Sequence, residues 1–352
     1  MPKLAKRISI ALAVVAVLFS VASMAADHMI SESTFQRQEI PERSLVAHYA
    51  DVQEDYDRVP VTFMSGDTRL QGYIYGPENN DQGLVVFAHG IWSWHQDYMT
   101  MICWLVDHGW KVFAYDATGC GESEGDSTKS FAQSAYDLDA ALTYVESDAD
   151  LAAMPKVLLG HSWGGFAVAA ELGFDHDVQA VVTMSGFQSP LVIMYDSADS
   201  LMGPLGFTQR PFLWIENKMR LGKDSNINAV DAINGCDVPV LVVHGTADEV
   251  VSYDSAGIIA ARGRITNPHV EYLVFDQENR NGHNTYFYEA EAKEYFDQLG
   301  ERAAEIDETY QGDRRELELD RFLEESDIVY SNTMNPELME PIDAFYREAL
   351  GL

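Results

Sequence analysis

The chain has 352 residues, 47% of them hydrophobic, enough for one large domain or two smaller ones around a sizeable core. A formal net charge of −33, from 23 basic and 56 acidic residues, argues against nucleic acid as a partner, because phosphate neutralisation needs clustered Lys and Arg. The acidic excess reads as a solvated surface, and three cysteines (Cys103, Cys120, Cys236) are too few for a disulfide-built fold and fit no zinc spacing.

In chain order, Lys3, Lys6 and Arg7 form a basic start, followed by an apolar run from Ile8 to Met24 broken only by Ser9, Ser20 and Ser23. Ser23-Met24-Ala25 supplies small residues where a signal peptidase reads them, so residues 1–25 are expected to be a signal peptide cleaved after Ala25. The alternative is an uncleaved anchor over residues 8–26, the sole expected membrane contact. Either way the basic end stays cytoplasmic and the bulk is exported, secreted or periplasmic. Residues 26–57 form a polar lead-in, partly helical at best.

From residue 58 the pattern changes. Residues 59–63 and 70–75 alternate like two antiparallel strands joined at Ser65-Gly66-Asp67. Continuous apolar runs at 83–89, 111–116, 156–160, 179–184 and 239–244 read as strands buried on both faces, and 270–275 is expected to be the last strand. Helical spacing lies between them at 97–108, 131–145, 163–172 and 253–262. This alternation predicts a mostly parallel central sheet with helices on both faces, its ligand site beyond the carboxyl ends of the strands. Residues 187–235, rich in Met, Pro, Trp and Phe, are too long for a loop and are expected to form a helical lid. Residues 58–286 would be the core, 287–333 a charged helical insertion, and 334–352 a terminal helix that completes the core.

One pentapeptide carries the chemistry. Gly160-His161-Ser162-Trp163-Gly164 joins a buried strand directly to a helical pattern. A strand-to-helix turn that sharp strains the serine backbone and needs small neighbours, leaving the hydroxyl alone above a helix N-terminus. A serine hydroxyl needs a base to become a nucleophile. His283 follows the last strand and suits that role; His269 is the alternative, on the other side of that strand. Asp248, just past the 239–244 run, would orient the histidine, with Glu249, Asp196 and Asp199 as competitors. The oxyanion of a tetrahedral intermediate would be held by the backbone N–H groups of Ile91 and Trp163. His89 and His161 read as structural neighbours. Trp92, Trp94, Tyr98, Phe212 and Trp214 are candidates for an apolar substrate pocket.

Five stretches, "FAHGIW", "YDATGCGESEGD", "LLGHSWGG", "VVHGTADEVV" and "NGHNTYF", occur in the order found in the α/β-hydrolase superfamily. Over about residues 58–286 the chain resembles its serine-aminopeptidase-like and lysophospholipase-like members. The resemblance implies an α/β-hydrolase fold and a serine hydrolase working through an acyl-enzyme, with no cofactor or metal. It also implies a structural role for the turn 116–126. The expected substrate is a small ester or a short acyl or peptide compound. Amide cleavage at a peptide N-terminus would need a carboxylate for the substrate ammonium, for which Glu216 is the candidate. Acyl transfer on the same residues and a non-catalytic binding module with this fold are the other readings. The oligomeric state stays open.

Overall fold

A computed structural model describes residues 2–79 and 82–352. Eight strands form one sheet: β1 (Arg58–Ser65), β2 (Thr68–Tyr75), β3 (Leu84–Ala88), β4 (Lys111–Tyr115), β5 (Lys156–His161), β6 (Ala180–Met184), β7 (Val240–Gly245) and β8 (Val270–Phe275). Their order is β1-β2-β4-β3-β5-β6-β7-β8. The β1–β2 and β2–β4 pairs are antiparallel and all other pairs parallel. The central strands β3 and β5 are buried at every position, which is why their sequences are apolar without alternation.

The helices are α1 (Pro2–Thr34), α2 (Tyr49–Val52), α3 (Met99–Asp107), α4 (Gln133–Ser147), α5 (Ala149–Ala152), α6 (Trp163–Ala170), α7 (Pro190–Met202), α8 (Arg210–Leu221), α9 (Ala229–Asn234), α10 (Ala290–Thr309), α11 (Asp313–Glu325), α12 (Ile328–Ser331) and α13 (Pro336–Leu350). Two apolar clusters cover the two faces of the sheet. One gathers Leu138 and Leu142 of α4 with Phe166 of α6 and Ile233 of α9. The other gathers Met99 and Ile102 of α3 with Leu338, Ile342 and Tyr346 of α13. The Tyr346 hydroxyl donates to the Leu158 carbonyl (2.7 Å), joining α13 to the middle of β5.

Two regions differ from the reading of the sequence. The N-terminal helix does not stop near Ala25 but runs unbroken to Thr34, through the first third of the expected polar lead-in. Polar residues in that extension have partners far down the chain: Glu32 pairs with Arg220 (2.6 Å) and His28 with Glu216 (3.4 Å), both on α8. Just beyond the helix, the Arg37 guanidinium donates to the carbonyls of Gly121, Ser123 and Gly125, fixing the lead-in on the 116–126 turn. The helix expected at 253–262 is reduced to a single tight turn at Ile258–Ala261. Gly257 interrupts that segment, and its N–H turns back to the Ser252 carbonyl (2.9 Å) instead of propagating a helix.

The region 187–235 contains α7, α8 and α9 linked by tight helical turns. The region 287–333 contains α10, α11 and α12, with ion pairs such as Lys293–Asp297 and Arg321–Glu325 along their exposed sides. Arg43 pairs with Glu316 and Asp320 and ties α11 to the lead-in. The three cysteines are unpaired.

Candidate active site

β5 ends in Gly160-His161, and α6 begins at Trp163, so Ser162 alone makes the turn. Its backbone sits at φ 56°, ψ −111°, a conformation that costs a non-glycine residue on the order of 1–3 kcal/mol. Two hydrogen bonds hold it there: Ser162 N–H to the Met184 carbonyl (2.8 Å) and Phe166 N–H to the Ser162 carbonyl (2.9 Å). The glycines answer a packing need. A Cβ on Gly164 would overlap the Ala88 carbonyl, and one on Gly160 would overlap the backbone of Gly164. Trp163 is fully buried, its indole N–H donating to the Phe131 carbonyl (2.7 Å). Its backbone N–H is one of those that a helix start leaves without an intrahelical acceptor.

His283 and Asp248 arrive from the loops after β8 and β7. The His283 Nδ1–H donates to the Asp248 carboxylate, 2.9 Å from each oxygen, and both side chains are almost wholly buried. Asp248 Oδ1 also accepts from the backbone N–H groups of Val250 (3.0 Å) and Val251 (2.8 Å). Burial alone would raise its pKa. Hydrogen bonds from His244 and His283 outweigh that and hold it far below the usual carboxylate range. Asp248 is therefore a fixed anion that commits His283 to carry its proton on Nδ1, leaving Nε2 as the basic nitrogen.

Ser162 and His283 line one cavity of about 380 Å³, together with Ile91, Trp92, Tyr98 and Phe287. The two side chains are not hydrogen-bonded to each other in this arrangement, as is common before a substrate draws them together. Ile91 follows Gly90 in the loop after β3, so its backbone lies at the same cavity as Ser162.

A buried hydrogen-bond chain supports this loop. The Gly90 N–H donates to the Tyr98 hydroxyl (3.1 Å), which lies 2.8 Å from His161 Nδ1. His161 Nε2 lies 3.3 Å from the His283 carbonyl, which only accepts, so the imidazole proton sits on Nε2 and Nδ1 accepts from Tyr98. Burial, then the neighbouring His283, pushes the His161 pKa well below its ordinary value, keeping the ring neutral as the chain requires. Tyr98 thus joins the Ile91 loop to the backbone of His283. Tyr98→Phe would orphan a buried N–H, at a cost of about 1–3 kcal/mol. It should lower kcat about tenfold in steady-state hydrolase kinetics with little change in KM.

The other residues singled out in the sequence lie as follows. Glu249, the neighbouring acid, accepts from the His283 backbone N–H (3.1 Å) and not from its ring. Asp199 pairs with Arg210 (3.0 Å), Asp196 accepts from the Ser255 hydroxyl, and His269 is exposed ahead of β8. His89 is buried, with Nδ1 donating to the Gly90 carbonyl (2.7 Å) and Nε2 accepting from the Ala117 N–H (2.9 Å). Three of the five pocket aromatics do not reach the Ser162 cavity. Trp94 is buried with its N–H on Asp97 (3.1 Å). On α8 the inward positions are Leu213, Glu216 and Asn217, so the flanking Phe212 and Trp214 turn away. Phe212 meets Phe19 of α1 edge-on (5.9 Å), and Trp214 is half exposed. Glu216 is not a free carboxylate, because Arg220 (2.8 Å) and His28 already engage it.

A feature the sequence reading missed lies beside the site. A second cavity of about 430 Å³ runs between α1 and the α7–α8 pair, walled by Phe19, Ala22, Ala26 and Ile30 on one side and Met194 and Leu213 on the other. Trp92 lines both this groove and the Ser162 cavity. Its indole N–H donates to the Thr34 carbonyl at the end of α1 (2.9 Å). The three- and four-residue spacing of Phe19, Ala22, Ala26 and Ile30 was the available signal for a helix face continuing past Ala25.

Comparison with known proteins agrees with this architecture. The family model described as serine aminopeptidase, S33 matches residues 79–194, about a third of the chain; that stretch holds Ile91 and Ser162 but ends before Asp248 and His283. An uncharacterised protein of Escherichia coli O157:H7, YfhR, is 32% identical over 136 residues, covering 37% of this chain and 47% of that protein. The chain therefore spans about half the length of the curated relatives it matches. Among solved structures, an esterase of Pyrococcus furiosus superposes with a TM-score of 0.52 at 18% identity, covering 76% of this chain and 97% of that one. The 2,6-dihydroxy-pseudo-oxynicotine hydrolase superposes at 0.50 and 13% identity, covering 84% and 68%. The sheet order, the Ser162 turn and these superpositions show an α/β-hydrolase fold, within which residues 79–194 match the serine aminopeptidase, S33 model.

Proposed function

We propose that the protein is a serine hydrolase that cleaves carboxylic esters of aliphatic acids through an acyl-enzyme, with Ser162 as nucleophile, His283 as base and Asp248 as its orienting acid. The observation that carries this reading is the His283 ring, fixed on a buried anionic Asp248 and sharing one cavity with a serine at a strained strand-to-helix turn. In the first half-reaction His283 Nε2 takes the Ser162 proton as Oγ attacks the ester carbonyl. The oxyanion settles against the Ile91 and Trp163 N–H groups, and the leaving alkoxide receives the proton from His283. Water then repeats the sequence, releasing the acid and restoring Ser162.

The groove beside Trp92 is the natural receptor for the acyl chain, because its walls are mostly hydrocarbon, interrupted by Asp27, Gln209 and a few hydroxyls, and it adjoins the Ser162 cavity. This also favours retention of α1 as an anchor. Cleavage after Ala25 would remove Phe19 and Ala22 from the groove wall. By length and composition α1 can cross a membrane, and its first half is exposed. With the basic end inside, the catalytic part would sit outside, close to the bilayer.

Amide cleavage at a free N-terminus is the weaker reading, since Glu216 already pairs with Arg220 and meets the His28 ring. A series of p-nitrophenyl esters from acetate to dodecanoate, run against aminoacyl anilides, tests the choice. Esters should turn over faster, with kcat/KM rising with chain length; faster anilide turnover would overturn the ester reading. Ala26→Trp, which fills the groove, should lower the dodecanoate-to-acetate ratio of kcat/KM at least tenfold.

A further inference from the structure

Away from Ser162, at the far end of α6, lies a cluster that the proposed hydrolysis does not use. Glu171 follows α6 directly, and its side chain is completely buried, yet neither carboxylate oxygen has a hydrogen-bond partner. Such a group is costly in a protein interior unless something of opposite charge meets it. What faces it is His176, in the loop before β6, with Nε2 3.7 Å from Glu171 Oε1 and 3.1 Å from Asp139 Oδ1 of α4. The other ring nitrogen, Nδ1, lies 3.0 Å from Glu146 Oε2, one helical turn pair further along α4.

Three carboxylates therefore surround one imidazole. A proton on His176, 3.7 Å away, still leaves Glu171 without a hydrogen bond. A divalent cation between them gives Glu171 a ligand. The donor atoms of Asp139, Glu171 and His176 all lie within 4.8 Å of one another. The observed 3.1 and 3.7 Å separations bracket the roughly 3.3 Å between donors in a tetrahedral zinc shell. Nδ1–H donated to Glu146 is the carboxylate–histidine arrangement that orients a metal-bound imidazole and raises its basicity. Calcium and magnesium prefer all-oxygen shells, so the imidazole favours a first-row transition ion.

We propose that Asp139, Glu171 and His176 form a zinc site, with Glu146 orienting His176 and a fourth position left open to solvent beside the half-exposed Asp139. The site would clamp the end of α6, the helix that follows Ser162, onto α4. The ligands are scattered over 37 residues in no motif spacing, so only the fold brings them together.

The test uses the full chain, dialysed against EDTA and then titrated with Zn²⁺, read by bound-metal analysis and thermal unfolding. About one equivalent should bind and raise the melting temperature by several degrees. Asp139→Asn, on the exposed rim, and His176→Ala should each weaken zinc binding at least tenfold, and Glu146→Gln about tenfold. Absence of stoichiometric zinc, binding unchanged in Asp139→Asn and Glu146→Gln, or a preference for Ca²⁺ over Zn²⁺ would overturn the assignment. Ester hydrolysis is read separately, so failure here leaves the Ser162 reading untouched.

Discussion

Ser162→Ala should lower kcat for p-nitrophenyl butyrate by on the order of 10⁴-fold or more, while shifting the melting temperature by no more than about 2 °C. The two expectations belong together. The backbone strain at φ 56° stays with either residue, and the hydrogen bonds that impose it are made by main-chain atoms. Only the Oγ is lost, and with it the covalent route. A residual rate would persist from substrate binding and the N–H groups of Ile91 and Trp163. Asp248→Asn should lose a comparable amount of kcat, because an amide cannot both accept from Nδ1 and compensate an imidazolium. Both variants are read by steady-state kinetics beside circular dichroism; an active Ser162→Ala protein would remove the proposed nucleophile.

Gly164→Ala should be the most damaging single-methyl change in the chain, costing about 4 kcal/mol or more and preventing accumulation of soluble protein. The added Cβ would meet the Ala88 carbonyl head-on and lie 2.7 Å from the His89 carbonyl oxygen. Those atoms belong to β3 and the start of the loop that carries Ile91, central backbone that cannot swing aside as a flexible side chain can. Gly173→Ala is the control. There the nearest atom, Ala232 Cβ, is 3.5 Å away, an ordinary contact, and the change should cost under about 1 kcal/mol. Chemical denaturation of the two variants decides it; equal stability would mean that the packing of β5 against α6 is looser than described.

The strands were legible because burial on both faces leaves a simple mark: Val157-Leu158-Leu159 and Val240-Leu241-Val242-Val243 have no polar residue to confuse the pattern. Ser162 and Asp248 stand just beyond β5 and β7, and His283 lies in the loop after β8, so three plain strand ends marked where to look. The substrate side was not. Phe212 and Trp214 are apolar by composition, but which way they face depends on the rotation of α8. Leu213, Glu216 and Asn217 set that rotation by packing inward. The continuation of α1 was hidden because its polar residues look like a solvated lead-in. Their partners, Arg220 and Glu216, lie 188 residues away. The helix expected at 253–262 failed for a local reason, a glycine at 257 whose N–H closes a loop. The clamp at Glu171 depends wholly on tertiary structure, for nothing in the local sequence shows that a glutamate there loses all contact with water.

Covalent capture of residue 162 reaches the centre of this account most directly. A fluorophosphonate probe incubated with the full-length protein, followed by peptide mapping, should place the adduct on Ser162. His283→Ala should label at least 100-fold more slowly, because the hydroxyl then has no base. An adduct on another residue, no adduct on folded protein, or equal labelling of His283→Ala would contradict the proposed chemistry.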